Sequence, residues 1–381
     1  MQREIGVSID LIFLAISLFT WGIGEGLFLY FQPLYLKELG ADPLQIGLIL
    51  GIAGAAMVLV YIPSGFISDK IGRRPLLRAA WSFGMIATWL MAGATSLPLF
   101  VVGMVLYNMT AFVTPPLNSY VTAARGKLSV GRALTLLSAM FNLGAVAGPL
   151  LGGWIGDTFG LRTSYFLSAI LFVVSTALVY FLRSQPIDGH DPESPLPSLL
   201  SNRRYLFFLG ISFVAMFAMF LPQPFTSIFL QDVHRLSFGQ IGLLIAAGSL
   251  GNALLNLFFG YFKARLGFVL SQLSVMAFAL LIWRGEALPV FALGYILLGG
   301  YRAGRTLASA QVRSLVHQAQ MGLAYGLTES VNSLPFVLAP PLAGYLYSHN
   351  PETIYSISLA ALAIALLLSM RFIPRETVIS D

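Results

Sequence analysis

AAWSFGMIATWLMAGATSLPLFVVGMVLYNMTAFVTPPLNSYVTAA, residues 79–124, runs for 46 residues without a Lys, Arg, Asp or Glu. A hydrocarbon core of ~30 Å takes about 20 helical residues, so this one run makes two membrane spans, joined near Gly93 to Pro98. Other charge-free runs of spanning length are Pro43 to Ser68, Ala133 to Gly156, Thr163 to Leu182, Tyr205 to Gln231 and Leu236 to Phe262. Composition agrees: of 381 residues 57% are hydrophobic and 10% charged, with mean hydropathy +0.80. A soluble chain carries about 25% charged residues, and this one cannot cover a water-facing surface. The net charge of +6 is spread along an apolar chain instead of gathered in a basic domain, which argues against nucleic-acid binding. The absence of Cys excludes disulfide frameworks and thiol chemistry.

Counting along the chain places spans near 9–36, 45–68, 75–94, 97–124, 132–158, 163–182, 205–231, 239–262, 267–283, 288–313, 322–347 and 354–371. The fold class expected is an all-α membrane protein with twelve transmembrane helices. A β-barrel needs strands of about ten residues with alternating polarity, and these runs are apolar at almost every position. The first span is too long for a signal peptide and reads as a retained helix. With twelve spans both termini lie on one side, and that side holds 16 of the 22 Lys and Arg, including Lys70, Arg73, Arg74, Arg78, Arg203 and Arg204. Both termini are therefore expected in the cytoplasm.

Residues 183–204 contain Pro186, Pro192, Pro195 and Pro197 and read as a cytoplasmic linker between six-helix halves, 1–182 and 205–381. An internal repeat supports the division. Gln45-Ile46-Gly47-Leu48 recurs 195 residues on as Gln240-Ile241-Gly242-Leu243, and Gly65, Lys70 and Gly72 meet Gly260, Arg265 and Gly267 at the same distance. Farther along the distance becomes 191, and Leu97-Pro98 meets Leu288-Pro289. Parallel repeats of this kind build one large class of transporters, with the site at the interface of the repeats.

Two motifs carry a family resemblance. Gly65-Phe-Ile-Ser-Asp69-Lys70-Ile-Gly72-Arg73-Arg74 resembles the signature loop of the major facilitator superfamily, and Gly144-Ala-Val-Ala-Gly148-Pro149-Leu-Leu-Gly152-Gly153 resembles a motif of its drug/proton antiporters. The resemblance implies two pseudo-symmetric halves whose first and fourth helices line a cavity, and a function in efflux. Read as residues, Asp69 can face an Arg or the positive end of a helix, making Gly65, Asp69, Lys70, Gly72, Arg73 and Arg74 a conformational latch. Those cations also satisfy the positive-inside rule without a latch. Gly144, Gly148 and Gly152 recur every four residues and make a groove for a neighbouring helix, while Pro149 removes a backbone donor. Pro340, Pro341 and Gly344 hold related positions in the eleventh span.

Charges inside spans cost about 2.5–3.5 kcal/mol each, so Glu25, Arg302, Arg305 and Glu329 need partners or water. Arg305 and Glu329 come out at similar depth and are expected to pair. Glu25 stands deep in the first span among Gly22, Gly24 and Gly26, and some antiporters of the resembled superfamily carry an acid in this helix for proton coupling. Glu25 and Glu329 are accordingly the expected proton carriers. Tyr30, Gln32, Tyr107, Asn108, Asn118, Gln223, Tyr301, Arg302 and Arg305 are the expected cavity residues, although interfacial Tyr and helix-to-helix Asn account for many such positions. The four His fall in loops or at span ends, so no metal centre is expected. One departure stands out: the fourth span lacks the arginine that drug antiporters carry there.

The function expected is a secondary transporter working by alternating access, exporting a small amphipathic compound against protons. Uptake or facilitated diffusion of an anionic metabolite, with Arg302 and Arg305 as an anion clamp, is the alternative. A polytopic membrane enzyme lacks a carboxylate cluster or nucleophile–base pair near a membrane face, and ATP drive lacks a GxxxxGK[ST] loop. The expected partners are a small-molecule substrate, protons and the bilayer of a plasma membrane, the inner one in a Gram-negative cell. Nucleic acid and cofactors are not expected, and the chain should act as a monomer.

Overall fold

The structure is a computed structural model and describes residues 8–128, 130–184, 202–312, 315–316 and 321–372. The side chains of 61–71, 115, 118, 119, 122, 130, 131 and 321–323 lie outside that description. All regular structure in the described residues is helical. In chain order the helices are α1 (Ile9–Phe28), α2 (Gln32–Glu38), α3 (Pro43–Ile71), α4 (Arg73–Gly93), α5 (Leu97–Met109), α6 (Thr114–Ala124), α7 (Val130–Phe159) and α8 (Leu161–Tyr180). They continue as α9 (Arg203–Phe220), α10 (Gln223–Asp232), α11 (Phe238–Gly260), α12 (Ala264–Arg284), α13 (Leu288–Leu298), α14 (Gly300–Val312), α15 (Met321–Ser333), α16 (Pro335–His349) and α17 (Thr353–Phe372). Each of the twelve expected spans coincides with one or two of them, and among the described residues eight of these spans are long and apolar enough to cross a membrane on length and composition alone.

The sequence reading gave every span as one helix; five are interrupted. The first passes from α1 through a 3-10 turn, Leu29–Phe31, into α2, and the fourth from α5 through Thr110–Val113 into α6. The seventh, tenth and eleventh divide as α9/α10, α13/α14 and α15/α16. Proline stands in the first turn of α2, α6, α10 and α16, where its missing N–H breaks no bond of the new helix but ends the ladder of the old one. The tenth span breaks at Gly299–Gly300, where a Cβ on Gly299 would strike the backbone of Gly251 and one on Gly300 the side chain of Ser274.

Contacts divide the chain into two units. The first comprises Met1–Ala41, Ile52–His190 and Ser237–Ala246. In it α1 lies against α7 and α8, and α4 against α5 and α8. The α1/α7 seam is made of glycines: a Cβ on Gly144, Gly148 or Gly152 would run into the backbone of Phe19, Ile23 or Leu27, and one on Gly22 or Gly26 into Phe141 or Gly148. Where no hydrophobic effect pulls helices together, such backbone approach supplies the packing. On the other flank of α1, Trp21 stacks on Phe172 with centroids 3.9 Å apart, and Ser17 Oγ lies 2.8 Å from Ser175 Oγ.

The second unit comprises Asp42–Gly51, Asp191–Leu236 and Ala247–Asp381. There α12 packs on α13, α14 and α17, while α9 packs on α14 to α17. Tyr205 donates to the Ala324 carbonyl at 2.7 Å, and Ser212 to Asn332 Oδ1 at 2.8 Å.

The repeated Gln-Ile-Gly-Leu has a structural reason. Gln45 and Asp42 cap the start of α3 reciprocally, and Gln240 and Ser237 do the same for α11, so the repeated Gln closes a capping box three residues after its first member. Two residues later, Gly47 presses on the Pro340 carbonyl within the second unit, and Gly242 presses on the Pro149 carbonyl within the first. Pro340 and Gly344 thus hold the places of Pro149 and Gly153.

Candidate functional site

A cavity of about 460 Å³ lies in the first unit, walled by α1, α4, α5, α6 and α7 with Met57 of α3. Its lining is mostly apolar. Among the described residues Glu25 is its one carboxylate, and no Lys or Arg of theirs lines it. Glu25 Oε2 accepts two hydrogen bonds, from Trp21 Nε1 at 3.2 Å and from the Tyr107 hydroxyl at 3.0 Å. Trp21 stands one turn before Glu25 on α1, so the two share a face. Tyr107 reaches it from α5, its ring edge-on to Phe28 at 5.1 Å and parallel to Phe172 at 6.0 Å. Asn108 also lines the cavity and ties its Nδ2 to the Met104 carbonyl.

In the second unit the expected ion pair is formed. Arg305 Nε and Nη2 donate to Glu329 Oε2 at 3.0 and 2.7 Å, Ser309 donates to Glu329 Oε1 at 3.1 Å, and Nη2 also donates to Ser333 Oγ at 2.8 Å. Arg302 projects from the exposed face of α14. Tyr301 is buried between the rings of Phe220 and Phe336. Phe220 lies 195 residues after Glu25, so this unit has an aromatic cluster where the first has an acid.

The remaining expected positions divide. Gln32 is buried at 4% exposure and does not line the cavity, nor does Tyr30. Gln32 falls past the break at Leu29–Phe31, which turns it off the face that an unbroken helix would give it. Gln223 folds back on the Met219 carbonyl. Asn118, Gly65, Asp69 and Lys70 lie outside the described side chains. Gly72 opens α4 at φ +85°, a conformation that requires glycine, and Arg73 and Arg74 start the helix.

The sequence reading missed Trp21, although an indole donor four residues before an intramembrane acid was there to see. It also missed Asp157 at the end of α7. The Asp157 carboxylate accepts from the Ser237 hydroxyl and from the amides of Phe238 and Gly239, each at 2.8 Å, all within the first unit. No local pattern announces that contact.

A polytopic helical chain with interrupted helices and a carboxylate in a mostly apolar cavity has the build of a membrane transporter, not of an enzyme. The family model of the Major Facilitator Superfamily matches residues 14–239 and 208–379, and the chain belongs to that superfamily. It is 22% identical over 369 residues to the quinolone resistance protein NorA of Staphylococcus aureus, covering 92% of this chain and 94% of that one. To an uncharacterized MFS-type transporter of Methanocaldococcus jannaschii it is 24% identical over 340 residues, covering 84% and 87%. Among solved structures, the nucleoside transporter NupG superposes with TM-score 0.80 at 16% identity over 96% of this chain and 98% of that one. A bacterial homolog of the lysosomal transporter Spinster gives 0.74 at 18% over 97% and 98%. These likenesses establish the fold.

Proposed function

We propose that the protein is a secondary transporter of the plasma membrane, with cytoplasmic termini, that exports a small amphipathic compound in exchange for protons by alternating access. The observation that carries this reading is Glu25, a carboxylate held by two neutral donors in a largely apolar cavity of about 460 Å³. A cavity of that size suits a drug-sized molecule. The carboxylate can exchange its proton for a cationic or polar substrate group. If each weakens the other's binding, the two fluxes are linked. The similarity to a quinolone resistance protein supports efflux of an aromatic compound. The anion-uptake reading is weaker, because Arg305 is committed to Glu329 and only Arg302 is left of the two-arginine clamp.

The test is flux in liposomes with and without an imposed pH gradient. Glu25→Gln should keep passive substrate exchange and lose accumulation driven by the gradient. Unimpaired accumulation in that variant would move the proton site elsewhere, with Glu329 next in line.

A further inference from the structure

On the outer surface of the first unit, α4 and α8 run side by side and leave an apolar seam open along their length. Tyr180, Val173 and Phe166 recur every seven residues on α8, all exposed, and so share one face. Ser82, Ile86 and Trp89 form the facing stripe of α4, four and three residues apart. At one end Ser82 Oγ lies 3.0 Å from the Tyr180 hydroxyl, and at the other the Trp89 ring stands edge-on to Phe166 at 6.4 Å. From Tyr180 to Phe166 the seam runs ~21 Å at 1.5 Å per residue, more than the ~15 Å of half a hydrocarbon core, so it can take a whole acyl chain.

Arg78 is fixed at the basic end of that seam. Its side chain leans toward the start of α4 and reaches the last turn of α8, where Nη2 donates to the Tyr180 carbonyl and the guanidinium lies 5.0 Å over the Tyr180 ring. Arg74 stands one turn earlier on the same face of α4. In both arginines Nε is buried and has no hydrogen-bond partner among the described residues. A donor withdrawn from water without an acceptor is costly, and like charges one turn apart repel, so both features favour an anionic acceptor beside the pair.

We propose that this seam binds one anionic phospholipid, its phosphate held by Arg78 and Arg74 and one acyl chain laid between α4 and α8 from Tyr180 to Phe166. Guanidinium groups match phosphate in geometry as well as in charge. The rule that gathers Lys and Arg at one membrane face would put them anywhere along that rim. Here two of them stand at the mouth of an apolar seam, which is the chemistry of a charged headgroup joined to a chain. A zwitterionic headgroup is disfavoured, because it brings an ammonium against the arginines. The second unit supplies a contrast. Arg265 of α12 donates to the Met370 carbonyl near the end of α17, as Arg78 does to that of Tyr180, but a methionine offers no ring to hold the guanidinium. The lipid site is separate from the cavity around Glu25, to which α4 turns a different face with Ala80 and Trp81.

The experiment is native mass spectrometry of the full-length protein in detergent, titrated with phosphatidylglycerol and, separately, with phosphatidylcholine of the same chains. The parent should hold its first phosphatidylglycerol more tightly than later ones and more tightly than phosphatidylcholine. An arginine near the surface is worth about fivefold in affinity for an anionic lipid, so Arg78→Gln and Arg74→Gln should each weaken that first binding by about that factor, with phosphatidylcholine binding unchanged. Val173→Trp keeps both arginines, fills the seam and should weaken the first binding too. Arg265→Gln should bind like the parent, and inorganic phosphate at millimolar concentration should not displace the lipid. Equal binding of the two lipids, parent-like binding in both arginine variants, or the same loss in Arg265→Gln overturns the site in favour of a general basic rim. Displacement by inorganic phosphate, or parent-like binding in Val173→Trp, overturns the seated acyl chain.

Discussion

Arg305 places two of its nitrogens, Nε and Nη2, on the single oxygen Oε2 of Glu329, joining α14 to α15 across two spans. The guanidinium also lies 5.5 Å over the Phe336 ring. Side-chain exposures of 24% and 48% mean that solvent screens the pair, so its coupling should fall at the low end of the roughly 0.5–3 kcal/mol found for contacting residues. Arg305→Gln, Glu329→Gln and the double variant, compared by thermal unfolding in detergent, should show the double losing less than the sum of the singles. Additive losses would mean that the pair contributes nothing as a pair.

Glycines of the α1/α7 seam should respond unlike glycines in open space. Gly148 has the Ile23 carbonyl and the Gly26 backbone where its Cβ would go, whereas Gly210 in α9 has nothing within 4 Å. Gly148→Val should therefore cost about 1–3 kcal/mol through forced separation of the helices. Gly210→Ala should be neutral or raise stability by up to about 1 kcal/mol, the helix-propensity difference. Thermal unfolding of the two variants beside the parent decides the matter; equal losses would remove the seam from the account.

The number and place of the spans were legible because hydrocarbon thickness writes itself into charge-free runs, and the glycines of α7 because close helix approach admits few other residues. The Arg305–Glu329 pair was legible from depth alone, since two opposite charges in adjacent helices have a strong reason to meet. The helix breaks were not: Pro33, Pro115, Pro224 and Pro335 are visible in the sequence, but membrane helices tolerate proline, and which prolines divide a helix depends on neighbouring packing. Gln32 stands just past the first of these breaks, so its surroundings depend on a division of the helix that the residues alone do not mark. Tyr107 was named as a cavity residue but not as the partner of Glu25, since nothing in the sequence sets the rotation of α5 against α1.

The Asp157 contact predicts a local effect. Its carboxylate takes two amide hydrogens and one hydroxyl hydrogen at the start of α11, where helix N–H groups lack partners. Losing a side-chain cap costs roughly 0.5–2 kcal/mol, which corresponds to about 2- to 30-fold in local opening. Hydrogen exchange of a peptide spanning 236–246 should accelerate by that factor in Asp157→Ala, with peptides from α12 and α17 unchanged. Exchange that stays at the parent rate over 236–246 would show that Ser237 and Gln240 cap the helix unaided.

Between α10 and α11, His234 packs 4.7 Å from the ring of Phe291 and 5.4 Å from Phe229, with its Nε2 buried and without a hydrogen-bond partner. Burial pushes the imidazole below its ordinary value, and the negative charge of Glu286 offsets this in part. The folded protein therefore resists a proton that the unfolded chain accepts from about pH 6.5 downward. His234 contributes fully to stability above that pH, loses its contribution as pH falls toward the lower folded value, and changes nothing further below it. His234→Phe keeps an aromatic ring between Phe229 and Phe291 and removes both the titration and the unpaired nitrogen. Its Tm should decline less than the parent's between pH 7.5 and 5, with the difference opening below about pH 6.5. Parallel Tm curves for parent and variant across that interval would show that another group carries the acid sensitivity.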